Sequence, residues 1–169
     1  MFKIGDKVIH SSYGLCEISN IETVENTYWG KQECYIIYMQ KIKAMIPVIH
    51  AEVLRLPITQ EEVAHILAML DNLEDLPKDT DARNCIDFYT EKFKANNSFK
   101  NAEILKDLTY LKETDKLIEK EKKLLDCVKK ILVEEISYVK EIATLEAEKI
   151  IDQHLYKPIK KESAKCHRK

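Results

Sequence analysis

Glycine is scarce in this sequence. Three occur in 169 residues, at positions 5, 14 and 30. Three glycines confined to the first thirty residues cannot build a loop that cradles phosphates, and neither G-x-x-x-x-G-K, G-x-G-x-x-G nor G-x-S-x-G is present. Long apolar runs are missing too. Nothing approaches the ~20 residues of a membrane span, and Met1–Asp6, with charge and glycine at once, is not expected to open a signal peptide. The five cysteines (16, 34, 85, 127, 166) are odd in number and scattered, the pattern of reduced thiols in a cytosol and not of a disulfide framework. The five histidines (10, 50, 65, 154, 167) share no metal-ligand spacing. Cys166-His167 offers two ligands where structural zinc takes four. The adjacent pairs Glu61-Glu62 and Glu134-Glu135 fall on helical stretches, where neighbours face apart, so both read as solvated faces and not as catalytic dyads. No enzyme, cofactor or metal is expected.

Charge is what the sequence does have, and it is unevenly spread. Residues 1–59 carry six basic and six acidic side chains, residues 60–156 carry 15 and 22, and residues 157–169 carry six and one. Only the tail is basic. A dedicated nucleic-acid binder usually shows a stronger signature than this.

The first half reads as β structure. Apolar bursts at Lys7–His10 and Leu15–Ile18 flank a polar Ser11–Gly14 turn, which makes a hairpin over 7–21 with Gly14 supplying the turn geometry. A second turn belongs near 26–32, followed by a strand over Glu33–Gln40 that is apolar on both faces. A further strand is expected at 43–48; Pro47 cannot donate to a ladder, so this strand is an edge or ends there. Trp29 beside Gly30 either caps the core of this module or is exposed as a partner's anchor. His10, at a strand end, reads as structural. Four or five short strands in under 60 residues make a small Tudor-like (SH3-like) barrel.

The second half reads as helix. Thr59 and Glu62 fit a capping box, and Val63, Ile66, Leu67 and Leu70 form the first apolar stripe, broken near Pro77. A second helix is expected over 80–95, with Ala82, Cys85, Ile86, Tyr89 and Phe93 on one stripe. A third, capped by Ser98, covers 99–112. A fourth covers 117–140, with Leu117, Leu124, Leu125, Val128, Ile131, Leu132 and Ile136 inward. A fifth, capped by Thr144, is expected to stop at Pro158. Cys85 and Cys127 lie on apolar stripes and read as small core residues. The fold class is therefore α+β: a barrel over 1–57, a bundle of about five helices over 59–156, and a basic, unstructured tail over 157–169.

Four stretches together resemble the CarD/CdnL family of bacterial RNA polymerase-binding transcription regulators. "FKIGDKVIHSSYGLCEISNIE" looks like the family's opening. "AMIPVIHAEVLRLPIT" is similar to its apolar strand with Val/Ile-Pro. "NAEILKDL" resembles its Ala-Glu-x-x-x-Arg/Lys-Asp-Leu helix, and "EKEKKLLDCVKKILVEEI" its long helix with Ile-Leu-x-x-Glu near the end. The resemblance implies a barrel that docks on the RNA polymerase β subunit through Val24, Met45, Ile46 and Pro47. It also implies a helical domain that stabilises the open promoter complex. DNA-facing residues are then expected at Arg83, Phe88, Lys92, Lys94, Lys100 and Lys106, with a solvated helix face as the competing reading of the lysines.

The pattern is not matched everywhere. The family's helical-domain tryptophan falls near Ala82 here, and its basic neighbours fall near Asn84, Cys85 and Asp87, while two polymerase-facing arginines fall at about Val24 and Met45. Phe88 is the aromatic nearest to replacing that tryptophan, with packing against the third helix or the barrel as the alternative. The expected partners are the polymerase β subunit and, weakly and with salt dependence, promoter DNA, for a cytoplasmic, non-membrane monomer. Two further readings stay open. One is a divergent polymerase-binding adaptor without wedge activity. The other is a nucleic-acid-binding protein working through its basic tail, independently of polymerase.

Overall fold

The computed structural model describes residues 1–26, 30–39, 42–72 and 85–166. The chain divides into two compact units, Met1–Pro57 and Ile58–Lys169.

The first unit is a five-stranded antiparallel sheet in the order β4-β3-β2-β1-β5. Its strands are β1 (Lys7–His10), β2 (Gly14–Asn26), β3 (Gly30–Met39), β4 (Ile42–Pro47) and β5 (Leu54–Arg55), with a 3₁₀ turn over Val48–Val53. The expected hairpin forms, with His10 opposite Gly14 and Val8 opposite Cys16. Gly14 sits at φ +83°, a conformation that a Cβ resists, and this closes the turn. His10 helps from the other side: its Nδ1 accepts the Ser12 N–H at 3.0 Å and its ring lies 4.5 Å from that of Tyr13. β2 is long enough to serve two partners. A bulge between Ile18 and Asn20 bends it from the β1 ladder to the β3 ladder, and the hydroxyl of the intervening Ser19 donates to the Ile36 carbonyl at 2.8 Å. Val8, Cys16, Ile18, Tyr35, Ile37, Ile46 and Leu54 form the core. The Tyr35 hydroxyl accepts the backbone N–H of Phe2, whose ring packs edge-on at 5.6 Å.

The second unit contains α1 (Gln60–Asp71), α2 (Cys85–Lys94), α3 (Ser98–Glu113), α4 (Glu119–Lys140) and α5 (Thr144–Cys166). Its core joins Val63, Ile66 and Leu70 to Tyr89, Leu105, Leu108, Val128, Leu132, Ile136, Ala147, Ile151 and Leu155. Each such aliphatic side chain removed from water contributes about 1.5–3 kcal/mol. α1 begins with the expected capping box: Thr59 Oγ1 accepts the Glu62 N–H at 3.2 Å, and the Glu62 carboxylate accepts the Thr59 N–H at 2.7 Å. α1 ends at Asp71. The expected break at Pro77, Ala82 and Trp29 lie outside the described residues.

Three helix ends differ from expectation. α3 is capped by Asn97, whose Oδ1 accepts the Lys100 N–H at 3.1 Å; Ser98 is the first helical residue and its hydroxyl is engaged elsewhere. α5 starts from Ala143, whose carbonyl accepts the N–H groups of Glu146 and Ala147, so Thr144 lies inside the helix. α5 also passes Pro158 and continues to Cys166. A proline removes only one helical hydrogen bond, and the following Lys160, Lys161, Glu162, Ala164 and Lys165 are good helix formers, so the expected unstructured tail is helical to that point.

Candidate functional site

Two surfaces carry the residues singled out from the sequence. The first is the outer face of β2, β3 and β4. Strand register pairs Ile36 with Met45, Cys34 with Pro47, and Val24 with Gln32. Because side chains alternate along a strand, Val24, Gln32, Cys34, Ile36, Met45 and Pro47 share one face, opposite to the core face of Tyr35, Ile37 and Ile46. Ile46, expected among the contacts, is buried in the core, so its side chain holds β4 onto the sheet instead. Met45 is 55% exposed, while its ladder partner Ile36 is 1% exposed. Val24 and Pro47 are half-buried. Lys43 and Glu22, on the same face, approach to 3.6 Å. β4 stands at one end of the strand order, and among the described residues no further strand pairs with its outer side.

The second surface is formed by α2 and α3. Phe88 is 61% exposed. Its ring meets that of Tyr89 edge-on at 5.5 Å, and the Lys92 ammonium lies 5.5 Å from its centroid. Tyr89, one position on, is turned into the core. Lys92 is mostly buried and pairs with Glu103 of α3 at 2.5 Å. Asp107, one turn along α3, has its carboxyl pushed up to about 6; burial is the main cause, opposed by Lys92 and Lys106, reinforced by Glu103 and opposed by the Tyr89 hydroxyl that donates to it. Lys94 and Lys100 are exposed, with Lys94 paired to Glu91 at 2.6 Å. Lys106 does not face solvent. It is 4% exposed, and its ammonium donates to the Asn72 carbonyl at the end of α1, where a cation suits the helix terminus. The expected DNA-facing lysine is thus a structural one. Arg83 lies outside the described residues.

Glu135 departs from the solvated reading of its pair. It is 0% exposed. Its carboxylate accepts the Ile58 N–H at 3.1 Å and the Ser98 hydroxyl at 2.8 Å, so a single side chain on α4 holds the approach to α1 and the start of α3. Its neighbour Glu134 is partly exposed and faces Lys130 at 3.8 Å. The sequence carries a signal for this: Glu135 follows Val128 by seven and Leu132 by three, which places it on the apolar stripe of α4. The helical unit is further tied by Lys129 of α4, which reaches Glu148 and Asp152 of α5 at 2.9 Å each, and by His154 of α5 against Asp71 of α1 at 2.8 Å. Cys127 is half-buried and burial pushes its thiol up, away from reactivity. Among the described residues no group of three or more His, Cys, Asp or Glu could hold a metal ion, and no helix is long and apolar enough to cross a membrane.

Comparison with known families gives two matches. The CarD-like/TRCF RID domain matches residues 2–58, and the CarD C-terminal domain matches residues 62–152. No curated protein gives a significant match.

Proposed function

The chain belongs to the CarD family, matched over both its units, and on that premise we propose that it docks on the RNA polymerase β subunit through β4 and the outer sheet face, and acts on promoter DNA through Phe88. It is a CarD-type transcription factor, and its first domain is of a polymerase-interacting type. The observation that carries the docking proposal is the exposed Met45 on an end strand, paired with the buried Ile36 and followed on the same face by Pro47. An end strand offers backbone donors and acceptors to a partner's strand, while the apolar face supplies burial. The polymerase β subunit is proposed as the occupant because the first domain is of a polymerase-interacting type.

Phe88 supports the second half of the proposal. It is an exposed aromatic on the helical unit, held between Tyr89 and Lys92, and apolar side chains of this kind wedge between unstacked base steps. Lys92 stands next to it, but a phosphate must compete with Glu103 for that charge. This competition, together with the internal use of Lys106, favours a second reading, a polymerase-binding adaptor that leaves promoter melting alone.

Purified β subunit and promoter complexes test both. Met45→Glu buries a charge on docking and should weaken β binding at least tenfold, since one unpaired charge at an interface costs well over about 1.4 kcal/mol. Phe88→Ala should leave folding and β binding unchanged and shorten open-complex lifetime. Wild-type β affinity in Met45→Glu would remove this face from docking. Unchanged lifetimes in Phe88→Ala would establish the adaptor reading.

A further inference from the structure

The family match ends at residue 152, and among the described side chains of α5 the last to pack on the core are Leu155 and Tyr156, yet the helix runs on to Cys166. The ten residues after Tyr156, at 1.5 Å each, add about 15 Å of helix. No apolar stripe accounts for this extension: Ile159 is the one large aliphatic residue among positions 157–166. Its lysines, by contrast, fall in register, with the single acidic residue Glu162 outside their arc. At about 100° per residue, positions 157, 160, 161 and 165 lie within an arc of about 140°, and all four are lysine. Positions 159, 163 and 166 fall on the other side of the helix and hold Ile, Ser and Cys.

We propose that the extension of α5 beyond Leu155 is a helical basic arm that binds the phosphate backbone of double-stranded DNA through Lys157, Lys160, Lys161 and Lys165. This goes beyond polymerase docking and the Phe88 contact, and depends on neither. The arm stands on a unit whose residues 60–156 carry seven more acidic than basic side chains, so its positive face is the part of that unit suited to a polyanion. Phosphate recognition by lysine point charges carries no sequence information, and the arm is therefore an affinity element. A lipid surface is the less suitable partner. Interfacial helices insert a face of Trp, Phe or Leu, and residues 157–169 contain none of these.

The test compares the full chain with K157Q/K160Q/K161Q/K165Q and with A164P, which keeps every charge but interrupts the last turns. Binding to a 20-base-pair duplex of arbitrary sequence is followed by fluorescence anisotropy from 50 to 300 mM salt. Each phosphate that is no longer neutralised lowers the slope of log affinity against log salt by about 0.9. The quadruple variant should lose about 2–4 in slope and at least tenfold in affinity at 50 mM salt, with an unchanged unfolding temperature. A164P should weaken binding at least threefold. A wild-type slope in the quadruple variant would overturn the proposal. So would wild-type affinity in A164P, which would leave charge without a helical face. Equal or tighter binding to vesicles of anionic phospholipid, or a quadruple variant that melts several degrees lower, would also refute it.

Discussion

Replacing Glu135 by leucine tests whether the helical unit is organised around one buried carboxylate. Leucine fills a similar volume but accepts no hydrogen bond. The Ile58 N–H and the Ser98 hydroxyl, now 3.1 and 2.8 Å from carboxylate oxygens, would both lose that acceptor. A buried donor left unsatisfied costs about 1–3 kcal/mol. Ser98 is buried and the Ile58 amide only partly so, which places the loss at about 2–4 kcal/mol. For a unit of this size that corresponds to roughly 10–20 °C in unfolding temperature. Far-UV circular dichroism during thermal and urea unfolding measures it. The decisive comparison is a double-mutant cycle with Ser98→Ala. Alone, Ser98→Ala removes a hydrogen bond and should cost about 1 kcal/mol; in the Glu135→Leu background it removes an orphaned hydroxyl and should cost nothing or stabilise. A loss under about 1 kcal/mol in Glu135→Leu, or an equal cost of Ser98→Ala in both backgrounds, would refute the argument.

Two helix termini give simpler outcomes in the same unfolding assay. Thr59→Ala removes half of the capping box on α1 and should cost about 1 kcal/mol, whereas Ser98→Thr tests no cap and should behave as a core substitution. Glu141 closes α4 at φ +54°, a left-handed conformation that glycine adopts without strain, so Glu141→Gly should stabilise the chain by about 0.5–1 kcal/mol.

Most of the fold is legible in the sequence, because it rests on periodicity. Val63, Ile66 and Leu70 on α1, and Ala147, Ile151 and Leu155 on α5, are read directly from their spacing. The hairpin follows from Gly14, and the edge position of β4 from Pro47. What periodicity cannot supply is the partner that a polar side chain finds in three dimensions. Asn97 and Ser98 are adjacent and equally suited to cap α3; the Glu135 carboxylate, 37 residues away, draws off the Ser98 hydroxyl and leaves the cap to Asn97. Lys106 looks like a basic surface residue until the end of α1 is placed beside it. On the proposed docking face, choosing between Met45 and Ile46 needs the register that aligns Ile46 with Tyr35 and Met45 with Ile36. Helical geometry alone puts Phe88 off the apolar stripe, and it is exposed.

The two units should respond to acid in opposite directions. In the sheet unit, burial lowers the pKa of His10, and the neutral ring accepts the Ser12 N–H at Nδ1. Protonation would turn that acceptor into a donor facing a donor. The unfolded chain binds its proton first as pH falls below 6.5, so the contribution of His10 is present above that value and is lost on acidification. In the helical unit, Asp107 rises from the ordinary 3.8 to about 6, chiefly through burial. Here the folded state binds the proton first. The contribution of Asp107 is complete below 3.8 and is lost as pH rises to about 6. Between pH 7 and pH 5 the contribution of His10 to the sheet unit therefore falls while that of Asp107 to the helical unit grows. The sequence supplies a probe for each. Its one tryptophan lies in Met1–Pro57, and the five described α-helices lie in the other unit, so tryptophan fluorescence follows the first and ellipticity at 222 nm the second. His10→Asn, which keeps an acceptor for Ser12 without a titrating ring, should flatten only the fluorescence-detected dependence. Asp107→Asn should flatten only the ellipticity-detected one and stabilise the helical unit at pH 7. If both probes in the wild type shift in the same direction between pH 7 and pH 5, or if either substitution leaves its own curve parallel to the wild type, then these two buried groups do not govern the acid response.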